Sequence, residues 1–117
     1  MKYLDYPKEK LSNGNTIEYK RTENGTCYHK ETPDKLVELL EELLENRTRI
    51  TVDYGDIKTG KSWGEEHDIT GYIGRSTGNI KIPLLVYNTR SYGGGALLDH
   101  CIIGIKTSKG NKELYKI

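Results

Sequence analysis

The chain has 117 residues, 34% hydrophobic and 30% charged, with a formal net charge of +1. That length predicts a single domain over residues 1–117 with a modest core. Near-neutrality argues against broad gripping of a phosphate backbone, which calls for a clear basic excess, and leaves room for a local basic pocket, so nucleic acid is not the expected partner.

Residues 1–13 are polar and mixed, with Tyr3, Leu4 and Tyr6 as the possible anchors, and read as either an arm over the body or an ordered interface tail. Asn15–Arg21 is strand-compatible, and Asn24-Gly25 is a turn signal because both residues accept positive φ. Thr26–Lys30 reads as the returning strand of that hairpin. Thr32 fits a helix N-cap, Pro33 the first helical position and Asp34 the positive end of the helix dipole. Leu36, Leu39, Leu40, Leu43 and Leu44 recur at helical spacing and define the apolar stripe. Glu38, Glu41, Glu42 and Glu45 read as its solvated face. Asn46 is the expected left-handed stop.

Arg49–Tyr54 alternates Ile50, Val52 and Tyr54 with polar residues, so it predicts a half-buried strand. Gly55–Gly64 is a polar loop, and Asp68–Arg75 a second strand. Ser76–Asn79 turns the chain back. Ile80, Ile82, Leu84 and Val86 share a face of the next strand, and Pro83 implies an edge or bulge there. Asn88–Gly95 is a glycine-rich loop. Ala96–Thr107 is strongly apolar and reads as one strand in the middle of the sheet. Lys109-Gly110-Asn111 turns into a last strand, Glu113–Ile117. The expected class is α+β: an N-terminal hairpin and one amphipathic helix packed on a mainly antiparallel sheet of about five strands.

Cys27 and Cys101 are far apart in sequence and read as free thiols. No apolar run reaches membrane length and no leader pattern opens the chain, so no membrane contact and a reducing cytoplasm are expected. Nine tyrosines and no phenylalanine suit half-wet pockets and subunit interfaces, or simply core edges.

The chemistry-bearing segments lie between Tyr54 and Cys101. Lys58-Thr59-Gly60-Lys61-Ser62 looks like the tail of a phosphate loop but lacks the first glycine and a following helix, so a polar hairpin loop explains it better. Gly74-Arg75-Ser76-Thr77-Gly78 gathers a guanidinium and two hydroxyls in one turn. It fits either an anion site or an ordinary hairpin turn. Asn88, Arg90 and Ser91, followed by Gly93-Gly94-Gly95, form the stronger ligand loop. The run of glycines there suggests close approach by a ligand or another chain. Trp63 either stacks on a base or anchors its loop. Asp99-His100-Cys101, read as strand, places His100 opposite its neighbours, so no Cys–His dyad forms between them. His29 or His67 could serve from elsewhere, and a buried, hydrogen-bonded His100 is the plainer reading. Glu65–Asp68 reads as a solvated acidic turn, not a metal site. Neither a metal nor a cofactor is expected.

The run Tyr54-Gly55-Asp56, Thr59-Gly60-Lys61-Ser62-Trp63, Gly71–Gly78, Ile80–Leu85, Asn88–Ser91 and Gly93–Ile102 resembles the phage anti-Thoeris sponge family, over roughly Arg49–Lys106. That resemblance implies a binding protein without catalysis. Such proteins sequester a cyclic ADP-ribose isomer, the signal made by TIR-domain defence enzymes. It also implies a homo-oligomer with pockets shared between protomers, and in some members separate pockets for cyclic oligonucleotides. By position, Asn88 matches a ligand-contacting asparagine region, and Lys106 a basic side chain late in the long strand. Near Asn79 relatives carry an aromatic that stacks on the base. Here Tyr87, Tyr54 or Trp63 would have to supply it. The competing reading is a small phage- or plasmid-encoded nucleic-acid-binding accessory domain, whose affinity would fall steeply with salt. A nucleotide hydrolase is the third.

Overall fold

Alternation in the segment after the helix decides which way the sheet faces. In the computed structural model, which describes residues 2–86 and 94–117, Ile50, Val52 and Tyr54 are buried, while Thr51 and Asp53 are only half-buried on the opposite face. The fold is α+β, with one helix, a six-stranded sheet and a three-stranded sheet.

The small sheet contains β1 (Lys8–Lys10), β2 (Thr16–Arg21) and β3 (Cys27–His29), in that order and antiparallel. The predicted hairpin is present, with Gly25 at φ 88° in its turn. The N-terminal arm contributes a strand that its sparse apolar pattern did not signal. The large sheet contains β4 (Ile50–Tyr54), β5 (Ile69–Arg75), β6 (Pro83–Val86), β7 (Gly94–Ala96), β8 (Ile102–Thr107) and β9 (Glu113–Lys116). Its order is β7-β6-β5-β4-β8-β9, every neighbour antiparallel.

Helix α1 (Asp34–Asn46) lays Leu36, Val37, Leu40 and Leu43 against Ile50, Val52, Ile73, Leu85 and Ile105. Burying each such side chain contributes about 1.5–3 kcal/mol. Both helix ends differ from expectation. Pro33 occupies the cap position in extended backbone with no side-chain cap. The Thr32 hydroxyl is drawn instead to Asp99, at 2.7 Å. Arg47, not Asn46, takes the left-handed conformation, at φ 51°, and its N–H closes on the Leu43 carbonyl. The side chain of Lys20 is buried here. Its ammonium donates to the Thr32 carbonyl and, at 3.1 Å, to Asp34.

The acidic face of α1 is not uniformly solvated. Glu41 is 8% exposed. The Tyr28 hydroxyl donates to its Oε2 at 2.9 Å, and the Thr22 hydroxyl donates to Oε1. Burial, and then Glu41 itself, push the Tyr28 phenol far above its ordinary range.

Two strand readings are corrected. Asp99–Cys101 is a single helical turn that breaks the long apolar run, so Ala96 ends β7 and Ile102–Thr107 forms β8, which lies inside the sheet between β4 and β9. In β6 the residues facing the core are Pro83 and Leu85, with Leu84 and Val86 half-exposed on the other side. Pro83 is the first residue of the strand, where its missing donor costs no ladder bond. Gly94 has a clear reason to be glycine. A Cβ there would sit 2.5 Å from the Leu85 carbonyl oxygen, so the close approach at this glycine comes from the chain's own β6.

Candidate ligand-binding site

Helix α1, the small sheet and the 97–101 crossover cover one face of the large sheet, and the other carries a cavity of about 410 Å³. Its floor is β4 and β8, where Thr51 pairs with Lys106 and Asp53 with Gly104. Ser62, Asp68 and Lys116 stand around it. The Ser62 hydroxyl donates to Asp53 at 2.9 Å, and the hydroxyls of Thr51 and Thr70 bond at 2.8 Å. Of the sequence-predicted binders among the described residues, Lys106 is the one that lines this cavity.

Asp68 Oδ1 is buried with no hydrogen-bond partner among the described residues. Burial first, then the Asp53 carboxylate beside it, raise its pKa, while Lys106 pulls it back. A group whose folded pKa lies above the unfolded value of about 3.9 supports folding below that value. That support is lost as pH rises through the folded pKa. At pH 7 the ionised Asp68 therefore opposes folding. Asp68→Asn is expected to raise the melting temperature modestly at pH 7, with the gain vanishing near pH 4. Thermal unfolding at both pH values checks this. A gain of equal size at both would contradict it.

At one end of the sheet Tyr54 is buried, its ring 5.9 Å from that of Trp63, which meets His67 edge-on at 6.1 Å. The Tyr54 hydroxyl accepts the Leu98 N–H at 3.4 Å. Trp63 remains 44% exposed, so it anchors its loop on Tyr54 and still offers a bare aromatic surface. The loop between them is closed by pairing of Gly55 with Ser62. A Cβ on Gly55 would lie 2.4 Å from the Lys61 carbonyl oxygen.

Arg75, Ser76, Thr77 and Asn79 lie together at the opposite end of β5. The Arg75 guanidinium donates to the Asn24 carbonyl at 3.1 Å, which ties this turn to the β2–β3 turn. The Ser76 hydroxyl accepts the Ile82 N–H at 2.8 Å. Thr77 and Asn79 are exposed. The predicted binders thus divide into three groups: Tyr54 with Trp63, the Arg75 turn, and Lys106 on the open face. Asn88, Arg90 and Ser91 lie outside the described residues. Val86, the last residue of β6, and Gly94, the first of β7, pair on the Ile69 side of the sheet, the side of Tyr54 and Trp63.

A second polar centre, missed in the sequence, surrounds Asp99, which is 2% exposed. Its Oδ2 accepts the His29 backbone N–H at 2.8 Å and the Thr32 hydroxyl at 2.7 Å, and its Oδ1 meets His29 Nδ1 at 2.8 Å. Burial alone would raise its pKa. The adjacent His100 ring and the hydrogen bonds from His29 and Thr32 outweigh that and hold the carboxyl well below the usual range. The bond to Asp99 raises the pKa of His29. His100 stacks on His29 with ring centroids 4.0 Å apart. The helical turn brings His100 toward Asp99, where a strand would have turned it away. The only sequence signals were the Asp-His-Cys run and a histidine 70 positions earlier. Cys27 is buried and Cys101 half-buried, and both are free thiols. No helix among the described residues is long and apolar enough to cross a membrane.

No protein-family model matches this chain, and neither does any curated protein or solved structure.

Proposed function

We propose that the chain binds a compact, doubly anionic cyclic nucleotide of the cyclic ADP-ribose type and holds it unconverted, as a phage counter-defence sponge against Thoeris signalling. The observation that carries this reading is the cavity beside Lys106. Its volume of about 410 Å³ falls in the range of small-ligand sites, about 300–1,000 Å³. The ammonium groups of Lys106 and Lys116 suit a pyrophosphate. Asp53, Ser62 and Thr51 suit ribose hydroxyls, since carboxylates accept and hydroxyls do both. The region over which the sponge resemblance extends, roughly Arg49–Lys106, spans β4, β5, β6 and most of β8, and β4 and β8 floor this cavity. In this reading copies of the chain assemble, so that groups at opposite ends of one sheet meet across a subunit boundary, and cyclic oligonucleotides are a second ligand class.

Calorimetry with cyclic ADP-ribose isomers, a cyclic oligonucleotide and short DNA at two salt concentrations tests the proposal. Saturable binding of one isomer is expected, with weak salt dependence and recovery of the unchanged compound after denaturation. Recovery of linear ADP-ribose would replace the sponge with an enzyme. DNA binding that collapses with salt, without isomer binding, would favour the nucleic-acid reading.

A further inference from the structure

We propose that His29, Asp99 and His100 form a binding site for one divalent transition-metal ion of the zinc class. One ligand atom from each of the three lies within 4.8 Å of the others. His29 Nδ1 is 2.8 Å and His100 Nδ1 4.0 Å from Asp99 Oδ1. Zinc binds imidazole nitrogen at about 2.0–2.1 Å and carboxylate oxygen at about 2.0–2.2 Å, so two ligands of a tetrahedral ion stand about 3.4 Å apart. The two separations from Asp99 fall on either side of that value, and binding would draw the three ligand atoms together from a spread of up to 4.8 Å.

Two further features point the same way. His100 Nδ1 is buried with no hydrogen-bond partner among the described residues. Buried ring nitrogens rarely stay unpaired, and a metal ion would occupy this one. Asp99 keeps Oδ2 fixed by the Thr32 hydroxyl and the His29 backbone N–H, and turns Oδ1 toward the two imidazole rings, where it now bonds His29 Nδ1 and would exchange that bond for the ion. Outer-shell bonds of this kind orient a ligating carboxylate. Two imidazoles with one carboxylate select zinc-like ions over calcium or magnesium, which prefer all-oxygen shells. The His29 and His100 side chains are 21% and 30% exposed, so solvent reaches the site and can fill the remaining coordination position. This centre lies beside β3, on the covered side of the sheet, and is independent of the nucleotide reading.

The test is calorimetric titration of the chelator-stripped full chain with Zn²⁺ at pH 7.5, with Co²⁺ absorption as a second readout. One ion per chain and a visible cobalt band are expected. His100→Ala is expected to weaken Zn²⁺ binding by more than the roughly 10–100-fold that loss of an outer-shell partner costs. Thr32→Val, which removes such a partner, is expected to fall within that interval. His67→Ala, on the exposed turn, should leave binding unchanged. Circular dichroism verifies folding of each variant, and His100→Gln stands in if the alanine variant unfolds. Absence of saturable binding, unchanged affinity in the folded His100 variant, or loss of the ion in His67→Ala would overturn the site.

Discussion

Glu41→Ala is expected to be among the most damaging single changes in this chain, costing about 3 kcal/mol and lowering the melting temperature by roughly 10 °C. The substitution strands two buried donors, the hydroxyls of Tyr28 and Thr22, which have Glu41 as their acceptor. Leaving a buried polar group unsatisfied costs about 1–3 kcal/mol each, more than the bond itself contributes. Glu41→Gln keeps an acceptor oxygen and is expected to recover over half of the loss. Glu42→Ala, one residue along and exposed, provides the baseline. It is expected to stay within about 0.5 kcal/mol of the parent. Equal melting temperatures for the Glu41 and Glu42 alanine variants would show that the buried carboxylate is structurally idle.

Lys106→Glu is expected to lower affinity for a cyclic ADP-ribose isomer by about 100-fold in a chain that still folds. The cavity is lined by Asp53, Asp68 and Glu113 against Lys106 and Lys116. The reversal takes it from three carboxylates facing two ammonium groups to four facing one. A dianion would then meet repulsion where it had a charge-assisted partner. Lys106 is exposed, so the core is untouched, and the lost attraction to Asp68 lowers the melting temperature without unfolding the chain. Lys109→Glu makes the same charge change on the β8–β9 turn, outside the cavity lining, and is expected to bind normally. If both variants bind as the parent does, the cavity is not where the nucleotide sits.

Local periodicity made most of the fold readable. The leucine spacing gave α1, the Ile50-Val52-Tyr54 alternation gave β4 and its buried face, and the Asn24-Gly25 and Gly110-Asn111 pairs gave two turns. Features decided by partners far along the chain were not readable. Glu41 looks like its solvated neighbours until β2 and β3 bring Thr22 and Tyr28 over it. Thr32 has the composition of a cap, yet its hydroxyl finds a carboxylate 67 positions away. The helical turn at Asp99–Cys101 interrupts an apolar run whose composition fits strand throughout. Lys106 was visible as a basic residue on a strand, but the cavity beside it required the order β5-β4-β8-β9, which no local pattern encodes. The Arg75 turn looked like an anion cradle because guanidinium and hydroxyl groups cluster there. In the fold, Arg75 and Ser76 make backbone hydrogen bonds that brace the turn.

The position of β8 governs how this molecule can be made. It is the next-to-last strand in sequence, yet it is seated between β4 and β9 and carries Ile102 and Ile105 into the core. Its pairing with β4 joins residues about fifty positions apart, so the entropy of closing a long loop precedes any gain from the ladder. During synthesis the nascent chain emerges with α1, β4 and β5 lacking their central neighbour, and their apolar faces stay open until residue 107 has left the ribosome. Completion of the sheet therefore waits on β8, and a chain halted before that strand would display an unfinished, sticky sheet to the chaperones of the cell.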